Sequence, residues 1–157
     1  MHSHITRRHA PCLITAVALL SALPAASAAV TNLRCEYLVN PLGIDVVKPR
    51  LSWIIEFARR SEQQTAYQVL VASSEELLKN DKGEWWDSGK VASEQSVLAE
   101  DNGKPPGSWK QCHWKVRVWD KDGRTSDWSQ PAAWTMGLLK PEDWQAKWIG
   151  AGTNRLL

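Results

Sequence analysis

The segment that begins at Cys112 constrains the fold more than any other part of the chain. From Cys112 to Val118 the residues alternate strictly, with Cys, Trp, Val and Val on one parity and His, Lys and Arg on the other. This period of two is typical of a β-strand with one buried and one solvated face. Asp122 and Gly123 follow, and glycine suits a tight reversal because it adopts positive φ without a Cβ clash. With a second strand predicted around 129–136, the segment predicts a β-hairpin.

Further segments before the hairpin carry strand-like or helical patterns. Apolar residues fall on one parity in 51–57 and again in 66–72. Ser73 and Glu76 are spaced as a capping box and predict one short helix over 73–79. The weaker strand signals are 33–38, 85–91 and 95–99. Short strands separated by turn residues predict an all-β fold, an antiparallel β-sandwich with one short helix.

The first 28 residues have the layout of a secretory signal peptide. Arg7 and Arg8 form a short basic region, an apolar run occupies 12–23, and small residues occupy 26–28. The apolar run is shorter than the roughly 20 residues that a transmembrane helix needs. We therefore expect cleavage after residue 28 and export to the bacterial periplasm or the extracellular space, with no membrane anchor left.

Removal of the predicted leader changes the charge and the supply of reactive side chains. Residues 1–28 contain two arginines and no acidic residue, so they account for the whole net charge of +2. A neutral chain offers no electrostatic basis for binding nucleic acid. His113 is the only histidine beyond residue 28, and two cysteines remain there. One histidine and two separated cysteines cannot build an ordinary zinc site, so we expect no metal site and no cofactor. We also expect no catalytic triad, because a mid-strand histidine lacks the convergent partners that a triad requires.

Tryptophan is the most unusual feature of the composition, with 10 residues in 157. Trp53 and Trp114 share parity with aliphatic residues, so we assign them to the core. Trp85, Trp86 and Trp109 lie in turn-rich regions and are the candidates for stacking on a carbohydrate ring. Packing within the protein is the alternative interpretation for these three side chains, because large aromatic residues bury much area.

Trp128 suggests a more specific contact. It follows the predicted turn and lies across from Lys115 and Arg117 on the outward parity of the preceding strand. An indole between two cations gains cation–π energy of about 0.5–1 kcal/mol at an exposed site. We therefore predict that Trp128 stacks between Lys115 and Arg117 and fastens the hairpin.

Cys35 and Cys112 both share parity with the apolar residues of their predicted strands. Export would bring them into an oxidising compartment, where a disulfide between them is permitted. Such a bridge would close a long loop and stabilise the fold by about 4 kcal/mol in the chain-entropy model. Two separate buried thiols that pack as small hydrophobic groups are the alternative. The sequence leaves both open.

Several ordered motifs cover nearly all of the chain after the leader. In chain order they are LRCEYLVNPLGID at 33–45, PRLSW at 49–53, QTAYQVLVAS at 64–73, WDSGKV at 86–91, WKVRVWD at 114–120 and WQAKWIG at 144–150. Together these motifs resemble the N-terminal region of bacterial family 78 α-L-rhamnosidases. The resemblance implies a fibronectin-III/immunoglobulin-like β-sandwich that precedes further β-domains and an (α/α)₆ catalytic barrel. It also implies that the acidic residues which hydrolyse terminal α-L-rhamnosides lie in that barrel.

The resemblance therefore predicts no catalytic residue in this chain. We expect a signal peptide at 1–28, a sandwich at 29–137, and a linker with the start of a truncated next β-domain at 138–157. The predicted function is that of a non-catalytic accessory module of an exported rhamnosidase, with the downstream domains as partners. A free-standing carbohydrate-binding or adhesion module, with rhamnose-containing glycans as ligands, is the alternative. Exposure of Trp85, Trp86 or Trp109 as a flat aromatic platform would favour it.

Overall fold

The fold is described by a computed structural model that covers residues 28–147. Residues 29–136 form the predicted antiparallel β-sandwich with one short helix. Residues 1–27 of the predicted signal peptide and residues 148–157 of the predicted second unit lie outside the described range, so both features stay predictions. The elements are β1 (Ala29–Cys35), β2 (Arg50–Glu56), β3 (Gln64–Ala72), α1 (Glu75–Lys79), β4 (Trp86–Asp87), β5 (Val91–Ala92), β6 (Ala99–Glu100), β7 (Gln111–Asp120), β8 (Ala132–Thr135) and a 3₁₀ turn (Pro141–Asp143).

Two antiparallel sheets make up the sandwich. One has the strand order β1-β2-β6, and the other has the order β4-β3-β7-β8 with β5 also paired to β3. The long β3–β7 pairing is the centre of the larger sheet, with Val69 opposite Val116 and Val71 opposite Trp114. Three strands facing a larger sheet is the arrangement of immunoglobulin-like domains.

The core lies between the two sheets. Leu51 and Trp53 of β2 are at most 2 % exposed and meet the buried residues of β3 and β7. The Trp53 ring lies edge-on to Tyr67, with centroids 5.2 Å apart, and its indole N–H donates to the Gln64 side chain at 3.1 Å. Trp114 is 1 % exposed. The assignment of Trp53 and Trp114 to the interior is therefore confirmed.

The predicted hairpin is present, but its second strand is shorter than the sequence suggested. Gly123 has a φ of +77° in the turn, as a tight reversal requires. After the turn, the backbone carbonyls of Val118 and Val116 accept from the N–H groups of Ser126 and Ser129. The hydroxyl groups of these two serines in turn accept from the N–H groups of Val118 and Val116, at 3.0 and 3.1 Å. Side-chain oxygens thus replace part of the ladder, and regular pairing starts only at β8.

The polar face of β7 is less exposed to solvent than the alternation of its residues predicted. Lys115 is 6 % exposed, because α1 packs over this face. Its ammonium group donates to the Leu78 carbonyl and to the Asp81 carboxylate, each at 2.5 Å. The alternation of apolar and polar residues indicates which face of a strand points to the main core. It does not indicate whether a helix will cover the other face and bury a charged side chain there, as α1 does with Lys115.

Two local predictions were wrong in detail. The helix cap is Ser74, whose hydroxyl accepts from the Leu77 N–H, and not Ser73. The segment 95–99 pairs regularly only at its end, where β6 begins, although the Ser96 carbonyl also accepts from the Trp53 N–H of β2 at 2.9 Å. The Gln95 side-chain amide donates to the carbonyls of residues 97 and 98, and Leu98 has a φ of +57°. These features turn the chain away from an extended ladder.

The predicted linker is held against the sandwich. The Asp143 carboxylate accepts from the Ser108 hydroxyl, and that hydroxyl accepts from the Leu139 N–H at 3.0 Å. Residues 138–147 therefore leave the sandwich beside the loop that precedes β7. Within residues 28–147, no helix is both long and apolar enough to cross a membrane.

Candidate functional site

The outer face of the larger sheet carries a ladder of cations and indoles. The Trp128 ring lies 4.5 Å from Lys115 Nζ and 4.5 Å from Arg117 Cζ, so the predicted stack is confirmed. Arg117 also lies 5.2 Å from the Trp119 ring, whose other neighbour is Lys90 Nζ at 4.8 Å. The guanidinium group of Arg117 is fixed further by two hydrogen bonds to Gln68. Each cation of this ladder already contacts an indole ring of the same face, so we interpret the ladder as a structural feature of the sheet.

The three candidate carbohydrate-stacking residues do not share one environment. Trp85 and Trp86 are half-buried and pack against the core cluster, so neither forms a free aromatic platform. Trp109 is 70 % exposed and has a φ of +66°, which is strained for a bulky residue. Of the three, only Trp109 has the exposure that a ligand would need.

Trp109 lines an open groove together with the segment that leaves the sandwich. Trp144, which is 54 % exposed, lies on the same groove. The groove has a volume of about 320 Å³. It is lined by Trp109, Leu138, Asp143, Trp144, Gln145 and Ala146. Two accessible indoles beside an amide and a carboxylate can pack on an apolar protein surface or on the face of a carbohydrate ring.

The role of Trp144 in this groove could not be derived from its local sequence. Its place depends on the hydrogen bonds of Asp143, which join the outgoing chain to a loop some 35 positions earlier. No local pattern in residues 138–147 indicates that Trp144 shares a groove with Trp109.

One cluster of carboxylates within residues 28–147 has the composition of a metal site or an acid–base site. The ligand oxygens of Glu62, Asp120 and Asp122 lie within 4.8 Å of one another. Arg124 already pairs with all three, at 3.2, 2.7 and 2.8 Å. Burial alone would raise the pKa of Asp120, but hydrogen bonds from the Arg124 backbone and guanidinium outweigh it and keep that pKa below its ordinary value. The guanidinium thus takes the place that a cation would occupy.

His113 lies under α1, away from this cluster. Its Nδ1 is buried without a hydrogen-bond partner and is 3.8 Å from the Glu75 carboxylate. His113 therefore lies mid-strand on the polar face of β7, which the helix covers.

Cys35 and Cys112 are both buried in the core between the sheets, and both thiols are free in this structure. Burial raises the pKa of Cys35 to about 12, with smaller contributions from Glu36 and Asp101. Burial, followed by the charges of Asp101 and Cys35, also raises the pKa of Cys112. Neither folded-state thiol is a nucleophile at neutral pH.

The two sheets and their strand order define an immunoglobulin-like module. Comparison with known families makes this specific. Residues 30–140 match the family model described as the Rha78A-like, N-terminal immunoglobulin domain. The chain belongs to this family, and its predicted resemblance to the N-terminal region of family 78 α-L-rhamnosidases is confirmed.

The relatives are much longer proteins. An α-L-rhamnosidase from Streptomyces avermitilis is 47 % identical over 122 residues, which are 78 % of this chain and 12 % of that protein. An α-L-rhamnosidase from Formosa agariphila is 43 % identical over 76 % of this chain and 13 % of its own length. The chain therefore spans about one eighth of the curated relatives that it matches.

Solved structures confirm the fold. The crystal structure of the Streptomyces avermitilis α-L-rhamnosidase, complexed with L-rhamnose, has a TM-score of 0.75 and 46 % identity over 80 % of this chain and 12 % of that chain. An α-L-rhamnosidase from Dictyoglumus thermophilum also has a TM-score of 0.75, with 40 % identity over 78 % of this chain and 14 % of its own.

Proposed function

We propose that this chain is a non-catalytic accessory β-sandwich of an exported α-L-rhamnosidase-like glycoside hydrolase. One observation carries the proposal: the chain matches the N-terminal immunoglobulin domain of relatives named α-L-rhamnosidase and covers only 12–13 % of their length. Export is supported by the signal-peptide pattern of residues 1–28.

The chemistry of the described residues supports a non-catalytic role. Inverting glycosidases place a carboxylic acid and a carboxylate base about 6.5–9.5 Å apart, with a water between the base and the sugar. The oxygens of Glu62, Asp120 and Asp122 are closer than this, within 4.8 Å, and all three carboxylates bind Arg124. A carboxylate held by a guanidinium group is a poor proton donor, because the ion pair favours its charged form.

The groove between Trp109 and Trp144 supports packing against the rest of such an enzyme as the module's role. Both indoles are exposed, and both lie where the chain leaves the sandwich. Exposed apolar surface of this kind marks a contact with another protein surface. We therefore assign the downstream domains of a rhamnosidase as the partner of this groove.

Activity of the purified chain tests the proposal. The chain is incubated with a chromogenic aryl α-L-rhamnoside, with the Streptomyces avermitilis α-L-rhamnosidase as the positive control. We expect no release of the chromophore above the buffer rate. Release that rises in proportion to the concentration of the chain, and that follows it through a further purification step, would overturn the proposal.

A carbohydrate-binding module is the second candidate, and the exposure of Trp109 favours it. Calorimetric titration with L-rhamnose and with a rhamnose-containing polysaccharide separates the two. The accessory role predicts no binding heat for either ligand. Binding that is lost in Trp109→Ala but kept in Trp85→Ala, whose parent side chain is half-buried, would establish the second candidate.

A further inference from the structure

The two cysteines of the sandwich lie at the same end of the core. Ala28, just before β1, lines the same small cavity as Asp120, the last residue of β7. From that end, β1 runs seven residues to Cys35 while β7 traces back eight residues to Cys112. At about 3.3 Å per strand residue, and allowing for the β-bulge between Thr31 and Arg34, both cysteines lie in the half of the core opposite that cavity.

The two strands also approach closely across the sandwich. Cα atoms of β1 and β7 come within 8 Å of each other, although the strands belong to different sheets. Stacked sheets are ordinarily about 10 Å apart, and disulfides join Cα atoms 4.4–6.8 Å apart. The strands that carry the thiols thus come closer together than the ordinary spacing of stacked sheets.

The charges that act on the two thiol groups agree with this placement. Cys35 contributes to the raised pKa of Cys112, and the buried Asp101 contributes to the raised pKa of both cysteines. Cys35 is 1 % exposed and Cys112 is 0 % exposed. Side chains this deeply enclosed are out of reach of bulky oxidants in the folded protein.

We propose that Cys35 and Cys112 form a disulfide that joins the two sheets, and that it closes during oxidative folding. The oxidant is a small disulfide such as oxidised glutathione. One cysteine thiolate attacks it and releases one glutathione, which leaves a mixed disulfide on the protein. The second cysteine attacks the protein sulfur of that mixed disulfide and releases the other glutathione, and the two released thiolates take up the protons that the cysteines lost. The two cysteines are oxidised and glutathione disulfide is reduced. The proposal is independent of the accessory function.

This bridge would differ from that of antibody domains. Their disulfide joins the second strand of one sheet to the strand equivalent to β7. Here the partner of β7 is β1, the edge strand of the smaller sheet. The bridge would close the long loop between residues 35 and 112 and fix that edge strand onto the sandwich.

Refolding of the full chain carrying Cys12→Ser, which removes the third cysteine, tests the proposal. The protein is reduced in denaturant, refolded with reduced and oxidised glutathione, denatured again and treated with N-ethylmaleimide before intact mass measurement. We expect a monomer with no adduct and a mass about 2 Da below the reduced form. We also expect its thermal midpoint to be roughly 10 °C above that of the protein refolded with reductant.

The control variant carries Cys35→Ala in addition to Cys12→Ser. It holds a single thiol in the sandwich and should take up one N-ethylmaleimide or one glutathione under both conditions. Two N-ethylmaleimide adducts, two glutathione adducts or a covalent dimer in the Cys12→Ser chain after oxidative refolding would overturn the proposal. A bridged monomer that melts no higher than its reduced form would overturn the stabilising role.

Discussion

At the scale of single residues, backbone strain coincides with exposed aromatic side chains. Tyr37 and Trp109 have φ values of +67° and +66°, and their side chains are 56 % and 70 % exposed. The left-handed conformation costs an L-residue roughly 1–2 kcal/mol. Burial does not repay this cost at either position. Such strain agrees with a surface that is kept for contact with another molecule.

Glycine at position 109 should therefore be more stable than alanine there. Trp109→Gly removes the Cβ clash that Trp109→Ala retains, so we expect the glycine variant to have a free energy of unfolding about 1 kcal/mol higher than the alanine variant. Urea denaturation followed by circular dichroism measures the difference. The matched pair Val97→Gly and Val97→Ala, at an exposed position without positive φ, should show the opposite order.

The ion pair between Glu36 and Arg50 should make stability depend on acidity. Hydrogen bonds from the Arg50 side chain lower the pKa of Glu36 below its ordinary value of 4.5. A lowered pKa means that the stabilisation is fully present above about pH 4.5 and is lost as the pH falls through the folded-state value. The Glu36→Gln variant cannot titrate at this position, so it should lose less stability than the parent between about pH 6 and pH 3.

Urea midpoints at several pH values measure this effect. The control is Glu94→Gln, which changes an exposed carboxylate and should leave the parent's pH dependence intact. Equal acid sensitivity in the Glu36→Gln variant and the parent would contradict the assigned role of the ion pair.

At the scale of elements, serine side chains complete the hairpin on which the larger sheet depends. Ser126 and Ser129 are each 7 % exposed, and their hydroxyls accept from buried N–H groups of β7. Without these hydroxyls, the amides of Val118 and Val116 would lose their acceptors in the interior. A buried donor left unpaired costs more than a typical hydrogen bond contributes.

Ser129→Ala should therefore lower the free energy of unfolding by about 1–3 kcal/mol. Chemical denaturation provides the measurement, and amide hydrogen exchange should show reduced protection at Val116. Ser73→Ala is the control, because Ser73 is exposed and is not the helix cap. A Ser129→Ala variant as stable as Ser73→Ala would show that the hydroxyl is dispensable.

At the scale of the whole molecule, both sheets share one hydrophobic cluster. That cluster takes Leu51 and Trp53 from the smaller sheet and Trp114 and Trp134 from the larger one. Because neither sheet can bury its apolar face alone, the two should unfold together.

Leu51→Ala tests this cooperativity. Leu51 is fully buried, so its truncation should cost about 2–5 kcal/mol. Tryptophan fluorescence and far-ultraviolet circular dichroism should shift together and keep coincident transitions. Leu42→Ala, at a position that is 83 % exposed, should leave both midpoints close to the parent. Separate transitions in Leu51→Ala would mean that the sheets unfold independently.

Local patterns predicted most of the sandwich. Alternation predicted β2, β3 and β7, because side-chain parity is a property of the strand itself. The hypothesis about Trp128 succeeded for the same reason, since neighbours across a hairpin follow from its register. Prediction failed at 95–99 and at the helix cap. At both places the backbone path depends on hydrogen bonds of one side chain, Ser74 at the cap and Gln95 in the segment. Neighbouring polar residues could have made equivalent hydrogen bonds, so the sequence does not indicate which residue does.

The amino-acid sequence by itself determined the class of fold, the turn at Gly123 and the family to which the chain belongs. These rest on short-range periodicity, on the backbone freedom of glycine and on ordered motifs. Only the tertiary structure decided that Lys115 is buried, that Trp85 and Trp86 pack inward, and that Trp109 and Trp144 line one groove. Those outcomes depend on segments distant in the chain coming together, and no local pattern encodes which surface another segment will cover.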